Sequence, residues 1–155
     1  MDVMARTTAR ANVRCGGSLS WQKAPPAPPA DIAALLRESV VPLPPEYIAF
    51  LAESNGGEGD LGVKPGWCQL WPAAEVLALN SSYEVQAELP GFLAFGSSGA
   101  GQLFAFDGRG PSPFPVVSVP YVPLGPEEAS PVAPDFAAFA RLLGKRAGEG
   151  SQSAP

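Results

Sequence analysis

The stretch GFLAFGSSGAGQLFAFDG, residues 91–108, places two aromatic and apolar runs on either side of a loop rich in glycine and serine. A phosphate-binding loop needs a lysine after its glycines and a helix after the lysine, whereas here QLFAFD has the pattern of a strand. A nucleophile elbow needs a glycine where Ala100 stands. The spacing therefore predicts a β-hairpin whose glycines permit positive φ and whose serines bond the turn's own backbone. The residues of this turn are Gly96, Ser97, Ser98, Gly99 and Gly101.

Helical patterns lie on both sides of this hairpin. DIAALLRE (31–38), LPPEYIAFLAESNGG (43–57) and PDFAAFARLLG (134–144) repeat apolar residues at helical spacing. Asp31 is expected to cap the first helix, and Asn55 with Gly56 to end the second. WCQLW (67–71) alternates like a short strand, and Pro72 opens a further helix.

The remaining segments complete an α+β domain with a mostly antiparallel sheet. PVVSVPYV (115–122) predicts a third strand, which its prolines place at an edge or a bulge, and GEGDLGVKPG (57–66) is expected to form a loop. We predict one domain over 31–143. Residues 1–30, which are basic and proline-rich, and the tail 144–155 are expected to be disordered.

Charge is unevenly distributed along the chain. Residues 31–143 carry thirteen acidic against four basic side chains, a net charge of −9, while the whole chain carries −5. A domain this acidic repels phosphate backbones, so nucleic-acid binding is not expected. The acidity favours a basic partner, although acidic surfaces also serve solubility alone.

The composition argues against most enzyme classes. The chain contains no histidine, which is the commonest general base and metal ligand. No acidic cluster has metal-ligand spacing, so we expect neither a metal nor a cofactor. The two cysteines, Cys15 and Cys68, fit a reducing cytoplasm better than a disulfide, and no apolar run reaches the ~20 residues of a membrane span.

The order of the segments resembles the SUKH superfamily, which includes bacterial toxin-immunity proteins and fungal Smi/Knr-type cell-wall regulators. The likeness covers roughly residues 31–143 and rests on N-G-G, L-W, N-x-x-Y and the glycine hairpin ending in aspartate. It implies an α+β fold in which the motif residues act mainly structurally. These residues are Asn55, Gly56, Gly57, Leu70, Trp71, Asn80, Tyr83, Gly96, Ser97, Gly99, Gly101 and Asp107.

The resemblance also implies a binding function without catalysis. We expect an immunity protein that covers a cognate toxin, such as a basic nuclease domain; the alternative is a regulatory scaffold without a toxin. Glu58, Asp60 and Glu75 are our candidates for contact with a basic partner. Neither the toxin nor an oligomeric state follows from the sequence.

Overall fold

The computed structural model describes residues 21–145. Its helices are α1 (Pro29–Glu38), α2 (Pro45–Glu53), α3 (Ala73–Ser82), α4 (Val85–Glu88) and α5 (Phe136–Ala140). Its strands are β1 (Trp21–Lys23), β2 (Gly57–Asp60), β3 (Trp67–Leu70), β4 (Phe92–Ser97), β5 (Gln102–Asp107), β6 (Val116–Pro120) and β7 (Ser130–Ala133). A short 3-10 turn, Pro126–Glu128, precedes β7.

The seven strands form one antiparallel sheet whose spatial order follows the chain from β1 to β7. Every neighbour in the sheet is therefore also a neighbour in sequence, and no strand needs a long crossover. The α+β class and the antiparallel sheet are confirmed.

An aromatic cluster fills the space between the sheet and the helices α2 and α5. Tyr47 of α2 lies 5.6 Å from Phe95, 5.2 Å from Phe106 and 5.3 Å from Phe136, measured between ring centroids. Each of these side chains is at most 1 % exposed. Since large aromatic rings contribute most of the buried apolar area in small domains, this cluster is the main stabilising contact between α2, α5 and the sheet.

An asparagine fastens α3 to the open edge of β4. β3 pairs with β4 only near Gly96 and Ser97, so the backbone groups of Ala94 need other partners. The Asn80 side-chain amide donates to the Ala94 carbonyl at 2.8 Å, and its oxygen accepts from the Ala94 N–H at 2.9 Å. Gln86 donates to the Phe92 carbonyl at 3.1 Å along the same edge. Side chains of α3 and α4 thus replace a missing strand.

The fold begins earlier than residue 31, the boundary that the sequence predicts. β1 pairs with β2, and Ala27 is buried. The Ala27 N–H donates to the Leu51 carbonyl at 2.9 Å, and the Ala24 N–H donates to the Ser54 hydroxyl at 2.9 Å. Residues 21–30, which were expected to belong to a disordered leader, are therefore packed onto the fold. Residues 1–20 of that leader and residues 146–155 of the expected tail lie outside the described residues.

Two further expectations need correction, and a third, that β6 lies at an edge or a bulge, is met by the bulge. GEGD is not loop but strand β2, because it is paired on both sides, by β1 and β3. β6 is not an edge strand, since it lies between β5 and β7, although a bulge does fall between Val116 and Val117. Helix α1 begins at Pro29 rather than after a cap at Asp31.

Candidate functional site

Half of one sheet face, on β1, β2 and β3, presents polar and acidic side chains. Glu58 lies directly opposite Gln22 on one side and Gln69 on the other, and Asp60 lies opposite Trp67. Directly paired residues, and residues two apart on a strand, share a face of the sheet. Gln22 and Gln69 are exposed and the other three are half-buried, so this half of the face is open to a partner.

The same row of side chains becomes buried as it crosses to β4, β5 and β6. Gln69 lies opposite Ser97, Ser97 opposite Leu103, and Leu103 opposite Val119. Ser97 is 8 % exposed, and Leu103 and Val119 are fully buried. The border between the open and the covered half therefore runs along β4 at Ser97.

Three stacked aromatic rings stand at this border. Trp71 lies 6.1 Å from Tyr83 with 14° between the ring planes, and Tyr83 lies 5.0 Å from Tyr121 with 6° between them. Tyr121 is two residues beyond Val119 and its N–H donates to the Gly101 carbonyl at 2.9 Å, which continues the strand pairing. Trp71 is buried, whereas Tyr83 is 37 % exposed.

Burial and two polar neighbours set the pKa of Tyr121, the outer ring of the stack. Partial burial, and then a hydrogen bond with the Tyr83 phenol, raise the pKa of Tyr121, while the Ser97 hydroxyl acts in the opposite direction. The Tyr121 phenol therefore stays neutral near pH 7, and the hydroxyls of Tyr83 and Tyr121 provide hydrogen-bonding groups beside an apolar stack.

The glycine hairpin adjoins this surface through Trp67. Gly99 has φ +74°, and a Cβ built there would lie 2.9 Å from the Trp67 ring. The Ser98 hydroxyl oxygen accepts from the N–H groups of Ala100, at 2.9 Å, and Gln102, at 3.2 Å. The turn is thus held by its own backbone and by Ser98, with positive φ at Gly99 and Gly101, as predicted. Gly96 and Ser97, which were predicted to belong to the turn, lie in β4 instead, and Gly96 does not have positive φ. The turn also supports the Trp67 ring.

We call the combined surface of strand face and stack the acid–aromatic face. Its members are Gln22, Glu58, Asp60, Trp67, Gln69, Tyr83 and Tyr121. Residues 21–145 contain thirteen acidic and six basic side chains, and ion pairs within that range join only Arg37 with Glu38 and Arg109 with Asp107. The carboxylates of Glu58 and Asp60 therefore have no cationic partner in the described part of the chain.

The structure brings together two of the three predicted contact residues. Glu58 and Asp60 share the acid–aromatic face, while Glu75 is exposed in the first turn of α3, on a different element. A role in partner binding stays a prediction for all three.

The second helix ends at Glu53 with Ser54 in extended conformation as its cap, before the predicted Asn55 and Gly56. The motif residues that follow it nevertheless have structural partners. The Asn55 side-chain oxygen accepts from the Ala73 N–H at 2.7 Å and so caps α3. Gly56, with φ +90°, has no room for a side chain because a Cβ would meet the Leu70 carbonyl oxygen. Gly57 lies opposite buried Leu70 and approaches the Trp21 ring.

The remaining motif residues act at β4 and β5. A Cβ on Gly96 would lie 2.6 Å from the Gln69 carbonyl oxygen, so only glycine lets β3 and β4 approach there. Asp107, at the end of β5, receives two side-chain hydrogen bonds of 2.9 Å from Arg109. These bonds lower the pKa of Asp107, and they fix the turn after the strand.

The sequence reasoning missed Tyr121 and treated Tyr83 as purely structural. A signal for Tyr121 was present, because Val117, Val119 and Tyr121 alternate and therefore share a face if the strand continues. No comparable signal reveals the stacking on Tyr83, since the two tyrosines are far apart in sequence and meet only in the folded chain.

The described residues contain neither a cluster of metal ligands nor a helix able to span a membrane. No group of three or more histidine, cysteine, aspartate or glutamate side chains between residues 21 and 145 is arranged to hold a metal ion. None of the helices in that range is both long and apolar enough to span a membrane.

A seven-stranded antiparallel sheet packed against helices is the α+β arrangement expected of a SUKH domain. Residues 26–141 match the model of the SMI1 / KNR4 family (SUKH-1), and the chain belongs to this family. Membership is consistent with a toxin-immunity role or with an SMI1/KNR4-type regulatory role. The comparison with curated proteins gives no match.

Proposed function

We propose that this protein binds and neutralises a cognate toxin in the cytoplasm by covering the toxin's working surface with the acid–aromatic face. The observation that carries this proposal is the pair of carboxylates, Glu58 and Asp60, on an open sheet face without a basic partner among residues 21–145. In this proposal the protein acts by binding and not by catalysis, and its partner is a basic toxin domain such as a nuclease.

The physical argument concerns both speed and selectivity. Opposite charges steer two proteins together and can raise the association rate by about 10- to 1,000-fold at low ionic strength. A toxin that binds nucleic acid carries a basic surface, and an acidic face placed on that surface excludes the substrate. The aromatic stack beside the carboxylates supplies the apolar contact area that charge alone lacks.

A matched pair of charge reversals tests the proposal. Glu58→Lys with Asp60→Lys alters the acid–aromatic face, whereas Glu46→Lys with Glu53→Lys alters α2 by the same total charge. The partner in the test is a toxin encoded by a gene next to that of this protein. We expect the first pair of substitutions to lower the rate of association with this toxin at least tenfold at low salt, and to weaken the dependence of that rate on salt concentration. The control pair should retain most of the rate and full protection in a co-expression survival assay.

Three outcomes decide the proposal. Full protection by the Glu58/Asp60 pair with an unchanged salt slope would show that this face is not the contact. Glu75→Lys is then added to the Glu58/Asp60 pair. If the first turn of α3 belongs to the interface, this third reversal weakens binding further. If the unmodified protein protects against no neighbouring toxin, the toxin proposal fails and the regulatory scaffold takes its place.

A further inference from the structure

The protein itself shows how it holds an arginine with a ring and a carboxylate. The Arg109 guanidinium carbon lies 4.7 Å from the centroid of the Phe92 ring. Two of its nitrogens donate to the two oxygens of Asp107, each at 2.9 Å. A planar guanidinium can satisfy both contacts at once, whereas the compact lysine ammonium cannot stack or form the paired bonds.

The aromatic stack and the residue that follows Tyr83 offer the same two components without a cation. Tyr83 lies between Trp71 and Tyr121, so Tyr121 is the outer ring of the stack, and Val122 directly after it is 85 % exposed. Glu84 directly follows Tyr83 and is exposed. No ion pair or cation–π contact within residues 21–145 brings one of the chain's own basic side chains to this place.

The backbone at Glu84 does not favour a glutamate. Glu84 has φ +59°, and it is the one non-glycine residue with positive φ in the part of the chain that the structure describes. Its carbonyl accepts from the N–H groups of Ala87 and Glu88 and so starts α4, which glycine would do with less strain. Neither a hydrogen bond nor an ion pair within residues 21–145 uses its carboxylate, so the fold alone does not account for this side chain.

We infer that the outer ring of the stack, Tyr121, together with the Glu84 carboxylate, receives an arginine side chain from the partner protein. The guanidinium lies against the Tyr121 ring and donates paired hydrogen bonds to Glu84, in the arrangement that Arg109 adopts with Phe92 and Asp107. Charge complementarity selects a basic partner, and the ring stack selects arginine over lysine. This inference deepens the proposed function by naming the anchor residue that the partner supplies.

The first test needs no toxin. Arginine amide and lysine amide are titrated separately into the full-length ¹⁵N-labelled protein, and backbone amide shifts are followed. We expect arginine amide to shift the signals of Tyr83, Glu84 and Tyr121 with a dissociation constant in the millimolar range, and lysine amide to bind several-fold more weakly. Scattered shifts outside these residues, or equal responses to both amides, would overturn the inference.

Matched variants separate the contribution of the Glu84 carboxylate to arginine binding from any effect on the stability of the fold. Glu84→Gln keeps the backbone geometry and should weaken arginine amide about three- to tenfold, since it replaces a charge-assisted pair with a neutral one. Glu53→Gln, which removes one exposed acid at the end of α2, should leave binding unchanged. Glu84→Gly should weaken binding as much as Glu84→Gln without lowering the melting temperature, and equal binding by Glu84→Gln and the wild type contradicts the inference.

The same variants in the toxin assay distinguish the two proposals. If the toxin binds and Glu84→Gln leaves its affinity intact, the arginine anchor is wrong while neutralisation stands. If no toxin binds but arginine amide still selects Tyr83 and Glu84, the anchor stands and the neutralisation proposal fails.

Discussion

The molecule contains two groups of aromatic rings that differ in burial and in geometry. Around Tyr47 the rings are buried, and Tyr47 itself meets Phe106 and Phe136 edge to face. Around Tyr83 the rings lie parallel, and the middle ring of the stack remains 37 % exposed. Edge-to-face contacts fill a three-dimensional core, whereas a parallel stack leaves a flat apolar end at the surface. The first group stabilises the fold, and we infer that the second binds.

The largest difference between the two groups is expected on truncation. Tyr47→Ala removes a buried ring from the centre of the core and should lower the free energy of unfolding by about 3–5 kcal/mol. Tyr83→Ala removes a partly exposed ring and should cost about 1–2 kcal/mol. Urea denaturation of both variants at neutral pH measures this, and similar losses at both positions would mean that the stack is also a core element.

Much of the core group could be predicted from the sequence. Tyr47, Phe136 and Phe139 follow helical spacing, and Phe104 and Phe106 follow strand alternation, so the local pattern already assigns them to an interior. By contrast, β1 and β2 were missed because WQK and GEGD carry no alternating apolar pattern. Glycine and glutamate are poor strand formers, and the pairing with β3 overrides that preference.

The acid–aromatic face was only partly predictable for the same reason. Glu58 and Asp60 were singled out from charge, and their position on one open face follows from a strand that the local sequence does not indicate. Tyr83 and Tyr121 meet only in the folded chain, where the end of α3 lies beside the end of β6, and single-sequence patterns do not report such contacts.

A smaller effect is expected at the glycine hairpin that supports Trp67. Gly99→Val places a branched side chain at φ +74° and against the Trp67 ring, so it should cost about 1–3 kcal/mol of stability. Gly101 also has positive φ, so Gly101→Val strains the backbone in the same way, but a Cβ at this position meets nothing within 4 Å. Thermal unfolding of the pair isolates the Trp67 contact: we expect Gly99→Val to melt lower, and equal melting temperatures would leave backbone strain as the whole effect.

Alkaline titration gives the finest comparison of the two groups, because Tyr47 belongs to the buried group and Tyr121 to the stack. The Tyr47 hydroxyl is buried without a hydrogen-bond partner among the described residues, and this burial raises its pKa well above the usual value. Burial likewise raises the pKa of Cys68 to about 12. A folded-state pKa above the unfolded value means that the unfolded chain releases its proton first, so stability is lost as pH rises.

The pH window separates the contributions. Cys68 should begin to destabilise the fold above about pH 8.5 and Tyr47 above about pH 10, each by up to about 1.4 kcal/mol per pH unit. Tyr47→Phe removes the orphaned hydroxyl, so it should raise stability by about 1 kcal/mol at pH 7 and flatten the decline above about pH 10. Cys68→Ala serves as the control: it should remove the decline between about pH 8.5 and pH 10 and leave the Tyr47 contribution above about pH 10. Tyr121 is partly exposed and should ionise while the protein stays folded, whereas Tyr47 should ionise only when the fold is lost. The ultraviolet absorbance of tyrosinate should therefore rise in two stages, and the second stage should coincide with loss of structure. A single stage would mean that Tyr47 contacts solvent, and it would remove the distinction between the two groups.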